Sequence, residues 1–215
     1  MKVVVIGATG FVGRNLVNEL ANRGHEVLAI ARNIEKVASK ENVTAASVDV
    51  YDSAALAKAI SGNDVVVSAF NPGWANPNIY NDFIKGAEAI QAGVKASDVN
   101  RLISIGGAGS LYIDGRQLVD GEDFPAEIKP GATAARDYLN TLKEEKELNW
   151  TFFSPAIEMH PGITIGRTGK YRLGLENPVF DEAGKCVLSV EDLAIVIADE
   201  VESNKHPHQR FTAAY

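Results

Sequence analysis

Short apolar runs alternate along the chain with segments in which apolar side chains recur at helical spacing. Residues 3–6 are all apolar, and residues 11–23 then place an apolar residue on one helix face at about every third or fourth position. Gly24 follows, where the C-cap of a helix is expected. An apolar run without polar interruption is typical of a strand that is covered on both faces. The opening of the chain therefore predicts a strand followed by a helix that ends near Gly24.

The same alternation continues to the end of the chain. Further strands are predicted at residues 27–31, 43–50, 65–69, 101–105, 150–154 and 210–214. Helices are predicted at residues 53–60, 79–97 and 132–148, and a last helix opens at Ser189, with Asp192 in the capping-box position. This order predicts an α/β fold of the Rossmann-like, doubly wound type, in which helices cover both faces of a parallel sheet.

Two regions interrupt the alternation. Residues 107–130 are rich in glycine and acidic residues and form a loop longer than a compact domain normally contains, so a lid is one interpretation. Residues 156–188 are irregular and punctuated by glycines, which predicts a small C-terminal substrate lobe. Both regions fit within a single domain that spans residues 1–215.

The loop between the first strand and the first helix carries glycines at positions 7, 10 and 13. Gly7 permits a tight turn, Gly10 permits close approach of the backbone to a pyrophosphate, and Gly13 permits close packing of helix and strand. The helix N-terminus would present amide donors and a partial positive charge to the phosphates. The predicted dinucleotide site comprises Gly7, Thr9, Gly10, Phe11, Val12 and Gly13.

Composition narrows the class of partner. Lys and Arg number 21 against 28 Asp and Glu, a net charge of −7 that argues against nucleic acid or an anionic membrane as the partner. The single Cys186 excludes an internal disulfide, and no apolar stretch approaches the ~20 residues of a membrane span. We expect a cytoplasmic protein, a monomer or a homodimer, that binds a small molecule and has no metal site.

The glycine loop and the strand order resemble the atypical branch of the short-chain dehydrogenase/reductase superfamily. Within that branch the chain is similar to the NmrA-like and NADH-flavin reductase group, which is related to the biliverdin/flavin reductases. The segments that carry the resemblance are residues 7–13, 67–73, 106–112, 150–155 and 168–173. The resemblance implies that Asp49 and Val50 flank the adenine, that Ala69, Phe70 and Asn71 cover the ribose, and that Pro155 and Ile157 lie beside the nicotinamide.

The end of the second strand indicates which nicotinamide cofactor is bound. NAD enzymes place Asp or Glu there to bind the ribose 2′-hydroxyl, whereas this chain has Arg32 followed by Asn33. A guanidinium suits the 2′-phosphate of NADP, which a carboxylate would repel. The sequence therefore predicts NADP as the cofactor, with NADPH preferred over NADH.

A proton relay expected of carbonyl reductases is missing. Such enzymes use a Tyr and a Lys four residues later on one helix face, and no tyrosine of this chain has that partner. Tyr138 and Lys143 are five residues apart, and the neighbouring leucines indicate a packed Tyr138. A flavin needs orientation more than a strong acid, so we expect an NAD(P)H-dependent oxidoreductase that reduces FMN, riboflavin or a similar planar acceptor. The alternative is an NmrA-like NADP sensor that acts through a protein partner; an epimerase or dehydratase ranks third.

Several polar and aromatic residues follow the fifth and sixth strands, whose carboxyl ends bind ligands in open α/β sheets. The candidate proton donors are Ser104, Ser110, Tyr112, Glu158 and His160. Of these, His160 is the best acid candidate, with a partly exposed loop histidine as the equal alternative. A basic cluster of Arg167, Lys170 and Arg172 is a candidate for an FMN phosphate, with a solvated loop as the alternative. Phe70, Trp74 and Tyr112 are candidates for stacking on a flat substrate, or for ordinary packing.

Overall fold

Ten strands and five helices account for the regular structure of the computed structural model, which describes all 215 residues. The strands are β1 Lys2–Ile6, β2 Glu26–Ile30, β3 Val43–Ala46, β4 Val65–Ser68, β5 Arg101–Ile105, β6 Tyr112–Ile113, β7 Arg116–Gln117, β8 Asn149–Ser154, β9 Arg172–Gly174 and β10 Gln209–Ala214. The helices are α1 Phe11–Asn22, α2 Ser53–Ile60, α3 Ile79–Ala96, α4 Lys129–Lys143 and α5 Val190–Ser203.

Eight of the strands form one sheet in the order β3-β2-β1-β4-β5-β8-β10-β9. Every pairing is parallel except that of β9, which runs antiparallel to β10 at the edge. Strands β6 and β7 form a separate hairpin. The sheet confirms the predicted Rossmann-like α/β fold.

Two hydrophobic clusters cover the two faces of the sheet. Val3 and Val5 of β1 belong to the cluster that contains α1 and α5, whereas Val4 and Ile6 belong to the cluster that contains α2, α3 and α4. All four side chains are fully buried. The uninterrupted apolar run at the start of the chain is therefore explained, since both faces of β1 lie inside the core.

Two predicted boundaries are wrong. The third strand was predicted to reach residue 50 but ends at Ala46, because its only neighbour, β2, ends at Ile30 and offers no partner beyond it. The helix predicted at residues 132–148 spans Lys129–Lys143 instead. It ends early because the Glu145 carboxylate accepts hydrogen bonds from the amides of Glu147 (2.7 Å) and Leu148 (3.4 Å), which holds a turn there.

The irregular segment 156–188 is attached to the main sheet. It supplies β9, and Glu158 forms an isolated bridge with Val187. The buried carboxylate of Asp192, in the first turn of α5, accepts hydrogen bonds from the amides of Thr168 and Gly169 at 2.8–3.0 Å. Ser189 caps the same helix, as predicted, by accepting from the Asp192 amide.

The loop at residues 107–130 contributes to the core. Leu111 and Val119 are almost fully buried, and the Ser110 carbonyl accepts hydrogen bonds from Arg210 (2.9 Å) and Gln117 (3.1 Å). The loop contains the β6–β7 hairpin and two short 3-10 turns. The inner part of the loop packs against α4. The interpretation of the loop as a lid did not predict this packing.

The Glu145 carboxylate predicts an acid-sensitive element of stability. Burial opposes its ionisation, but the amide of Glu147 and the side chains of Gln91 and Lys95 outweigh this effect and lower the pKa of Glu145 from 4.5 to about 2. A depressed pKa stabilises the fold above the unfolded-state value, and that stability is lost as the pH falls from about 4.5 towards 2. We expect Glu145→Gln to reduce the free energy of unfolding at pH 7 by about 1–2 kcal/mol, and to flatten its decline below pH ~5.

Urea unfolding between pH 3 and pH 7 measures this effect. Glu144→Gln is the matched control, because Glu144 is the exposed neighbour of Glu145 and its carboxylate makes no hydrogen bond or ion pair. Equal pH profiles for the two variants would contradict the assignment to Glu145.

Candidate cofactor and acceptor site

The glycine loop, residues 7–13, joins β1 to the first turn of α1. It is closed by backbone contacts that only glycine permits. Gly7 has a φ of +77°, and a Cβ atom there would lie 2.6 Å from the Ala69 carbonyl oxygen. A Cβ atom on Gly13 would lie 2.1 Å from the Gly7 carbonyl oxygen. The Gly10 amide donates to Gly7 and closes the turn at 2.9 Å. The glycine spacing thus determines the shape of the turn.

The N-terminus of α1 has free donors. Gly10 is the N-cap, no side chain caps it, and the first turn contains no acidic residue. The amides of Phe11, Val12 and Gly13 donate to no acceptor within the protein. A phosphate group would satisfy these amides and would meet the positive end of the helix dipole, so the residues present fit a dinucleotide.

Arg32 lies just beyond β2 with its charge uncommitted. Its side chain is exposed and makes no ion pair or hydrogen bond with the rest of the chain. The neighbouring Asn33 is used structurally, because its side-chain oxygen accepts the Glu35 amide and caps a 3-10 turn. The exposed Asp49 accepts the Tyr51 amide at 3.0 Å in the turn before α2. Val50 is half-buried against the core beside it.

The residues that follow β4 form the neighbouring wall of the site. Ala69 contacts the glycine loop through its carbonyl, as described above. Phe70 points inward, with its ring 6.2 Å from that of Phe83 and against Gly86, where a Cβ atom would lie 2.3 Å from the ring. Asn71 is exposed and accepts the Gly73 amide at 2.7 Å, which shapes the turn.

Pro155 and Ile157 follow β8 at the same edge of the sheet. Pro155 is buried, whereas Ile157 is 44% exposed and is held by a hydrogen bond from its amide to Cys186 Sγ (3.5 Å). Burial raises the pKa of the Cys186 thiol, so this cysteine is not an activated nucleophile. The residues assigned to the adenine, the ribose and the nicotinamide thus follow β3, β4 and β8 in turn.

Helix α4 presents no tyrosine–lysine pair beside the end of β5. Its first two turns present Ala132 and Ala135 to the loop after β5, where Cβ atoms on Gly109 and Gly107 would lie 3.2 Å and 3.8 Å from them. Tyr138, one turn further on, is 1% exposed, and burial raises its pKa far above the usual value. A tyrosine that donates a proton at neutral pH needs the opposite shift. Small residues therefore occupy the helix face that a relay would use.

The serine candidates differ in how far their hydroxyls are committed. Ser104, on β5, is 5% exposed and its hydroxyl makes no hydrogen bond within the protein. Ser110 is fully engaged, since its hydroxyl lies 3.0 Å from that of Ser154 and 3.3 Å from the Arg210 guanidinium. Ser104 is therefore the serine that remains available to a ligand.

Tyr112 and His160 lie in different environments. The Arg210 guanidinium carbon lies 5.7 Å from the centre of the Tyr112 ring. The Tyr112 amide donates a hydrogen bond to the Glu176 carbonyl. His160 is exposed, with Nδ1 accepting the Gly162 amide at 3.1 Å, so that Nε2 faces no protein partner. Glu158, on the same segment, is exposed beside the bridge to Val187.

The basic cluster considered for an FMN phosphate is not a free cluster. Arg167 forms an ion pair with Glu19 of α1 at 3.1 Å. Arg172 donates to the carbonyl of Phe180 and to that of Tyr215. Of the three cations only the Lys170 side chain makes no hydrogen bond or ion pair. A phosphate would have to compete with the contacts that Arg167 and Arg172 make.

A buried arginine was missed by sequence reasoning. Arg210 is 2% exposed, pairs with Glu176, and connects β10 to the loop after β5 through Ser110. A charged residue at the start of an otherwise apolar strand was the available signal, because a buried cation requires partners. The partners lie 34 and 100 residues away in sequence, so the pattern did not identify them.

Comparison with known proteins defines the class. The family described as NAD(P)H-binding matches residues 7–204, and this chain belongs to it. The Bacillus subtilis protein YwnB, which is uncharacterised, is 35% identical over 215 residues, covering 99% of this chain and 97% of YwnB. The chain is thus an NAD(P)H-binding protein of oxidoreductase type with a Rossmann-like fold.

Two solved structures are similar over their whole lengths. A protein of Bacteroides thetaiotaomicron described as a putative epimerase is 45% identical, with a TM-score of 0.91 and coverage of 100% of this chain and 96% of that one. A protein of Streptococcus pneumoniae described as a putative NADH-flavin reductase is 35% identical, with a TM-score of 0.88 and coverage of 100% and 99%. The atypical short-chain dehydrogenase/reductase resemblance is confirmed. No helix combines the length and the hydropathy that a bilayer crossing demands.

Because the glycine turn is tight, adding a methyl group at Gly7 should weaken both folding and NADPH binding. We expect Gly7→Ala to reduce the free energy of unfolding by about 2 kcal/mol or more, because backbone strain and the clash with Ala69 act together. It should also weaken NADPH binding, measured by the change in cofactor fluorescence. Gly24→Ala is the matched control, because Gly24 has a φ of +82° but no atom within 4 Å of the added Cβ. We expect it to cost about 1 kcal/mol and to leave NADPH binding intact. Equal effects of the two substitutions on binding would contradict the turn's role.

Proposed function

We propose that the protein is an NADPH-dependent oxidoreductase that transfers hydride to a flavin or a similarly planar acceptor. The observation that carries the proposal is the combination of free amides at the N-terminus of α1 with a helix α4 that lacks a proton relay. The first feature suits a dinucleotide, and the second argues against reduction of an isolated ketone, whose alkoxide would need a proton donor.

The acceptor's chemistry must match a site without a strong acid. Bound NADPH supplies a hydride, which a flavin accepts at N5 while the charge spreads over its ring system. The protein's role is then to hold the acceptor in place and to exclude water. We assign Ser104 and His160 as groups that can hydrogen-bond the acceptor, since each has an uncommitted polar atom. Tyr112 is a more distant candidate, because its ring rests on Arg210.

The cofactor assignments follow the chain from one end of the dinucleotide to the other. We assign the pyrophosphate to residues 7–13 and the 2′-phosphate to Arg32 and Asn33. Asp49 and Val50 are assigned to the adenine. We assign Ala69, Phe70 and Asn71 to the ribose and Pro155 and Ile157 to the nicotinamide. The Arg32 guanidinium has no partner in the protein and can pair with the 2′-phosphate. Only NADPH carries that phosphate, so Arg32 supports a preference for NADPH over NADH.

Two wider expectations accompany the proposal. We propose a cytoplasmic location, which the single, buried Cys186 supports. We also propose that the protein is a monomer or a homodimer. The Bacteroides relative is described as a putative epimerase. An epimerase activity of this protein is not supported by α4, which contains no Tyr–Lys pair.

Anaerobic consumption of NADPH at 340 nm tests the function. We expect repeated turnover when riboflavin or FMN is added in excess over a catalytic amount of the protein. Binding of NADPH without turnover by any flavin or quinone would contradict the proposal and favour an NADP sensor that acts through a protein partner. In that case the measurement to make is partner binding with and without NADP.

Replacement of Arg32 tests the cofactor preference. We expect Arg32→Ala to raise the dissociation constant of NADPH about tenfold or more, and to leave that of NADH nearly unchanged, because only NADPH carries the 2′-phosphate. Lys205→Ala is the control, since Lys205 is an exposed cation beyond α5, at the opposite edge of the sheet. Comparable dissociation constants of the two cofactors for the unmodified protein would refute the preference.

A further inference from the structure

The sequence offers three aromatic side chains as candidates for stacking on a flat substrate. Two of them are packed against other parts of the protein. Phe70 is enclosed by Gly86 and Phe83 and receives the edge of the Tyr51 ring at 6.1 Å. Tyr112 has one face against Arg210 and its backbone tied to the segment at residues 176–177. Both rings are therefore engaged in packing contacts within the protein. Only the third candidate, Trp74, remains.

Trp74 is 59% exposed, the largest fraction among the large apolar side chains. The covered part of the indole rests on Gly131, where a Cβ atom would lie 2.8 Å from Cζ3. Ile79, which is 6% exposed, borders the same glycine and would lie 2.9 Å from that Cβ atom. More than half of the side chain is exposed to solvent, which leaves an aromatic surface on which a second flat ring can stack.

The position of the seat brings Trp74 to the ligand-binding edge of the sheet. Helix α3 connects β4 to β5, so it begins, at Ile79, where β4 ends. Helix α4 precedes β8, so its first turn, with Gly131, also lies at the carboxyl edge. Trp74 is therefore placed between the starts of α3 and α4, five residues beyond Ala69. This is the edge where open parallel sheets bind ligands.

The loop that carries Trp74 is held in one conformation. Asn71 accepts the Gly73 amide at 2.7 Å, and the Gly73 carbonyl accepts the Asn76 amide at 3.0 Å. The Asn76 side chain donates in turn to the Asp82 carboxylate of α3 at 2.7 Å. Gly73 has a φ of +113°, which a residue with a side chain rarely adopts. A fixed loop presents the indole at little entropic cost when a ligand binds.

We propose that Trp74 is the stacking platform for the planar hydride acceptor and determines the preference for flat aromatic substrates. The inference rests on the proposed function and adds to it the residue that recognises the acceptor's ring system. Indole has an electron-rich face, and an oxidised isoalloxazine or quinone ring is electron-poor, so offset stacking of the two is favourable. A saturated or bent substrate of equal size would gain little from this surface.

Flavin emission provides a test that does not depend on turnover. Riboflavin is excited at a wavelength where tryptophan does not absorb, and contact with an indole face quenches its emission. Titration with protein saturated with NADP+ gives both the dissociation constant and the quenching at saturation. We expect Trp74→Leu to raise the dissociation constant of riboflavin about three- to tenfold, with much of the quenching lost. Trp74→Phe should restore part of the affinity, and NADPH binding should be unchanged in both variants.

The control is Phe180→Leu, which removes another exposed aromatic side chain (41%) beside β9 at the far edge of the sheet. It should leave riboflavin binding unchanged. Unchanged affinity and quenching in Trp74→Leu would overturn the inference, as would a change in association state without a change in riboflavin affinity. Absence of turnover by the unmodified protein, with quenching by Trp74 retained, would overturn the proposed function and leave the stacking assignment standing.

Discussion

The close approach of three backbone segments around the glycine loop is the constraint on which the site depends. Gly7, Gly13 and Ala69 meet within distances that leave no space for one additional carbon atom. The contact fixes the angle at which α1 leaves β1, and so directs the free amides of its first turn outward from the sheet edge. It also sets the position of the loop after β4, which carries Phe70 and, further on, Trp74. One backbone contact thus positions both the first turn of α1 and the loop that carries Trp74.

Helix α4 supplies the second determinant of the chemistry. Its early turns are lined with glycine and alanine, so the wall at residues 107–120 packs directly against it. The same small residues provide the seat for Trp74 at Gly131. Helix α4 therefore offers no tyrosine–lysine pair and provides the contact on which the Trp74 indole rests.

Local signals predicted the fold well where residues interact with near neighbours. The caps at Asp52 and Ser189 and the glycine loop located α2, α5 and the first β-α unit, because each depends on contacts within a few residues. The end of β3 and the antiparallel β9 depend on partner strands and were not predicted. Likewise, the commitments of Arg167 and Arg210 depend on residues far away in sequence. A charge pattern alone therefore suggested a phosphate site where Arg167 forms an ion pair and Arg172 donates to backbone carbonyls.

Within the candidate site, residue types were easier to predict than their availability. The glycines form a tight turn and Arg32 is exposed without a partner, whereas only contacts in three dimensions distinguish Trp74 from Phe70 and Tyr112. The claim that catalysis proceeds without a tyrosine relay is tested most directly by one measurement: kcat/KM for NADPH-dependent riboflavin reduction by Tyr138→Phe. The account predicts a value within about twofold of the unmodified protein, since the Tyr138 hydroxyl is buried in the core. A loss of about a hundredfold or more in a folded variant, the contribution expected of a general acid, would contradict it.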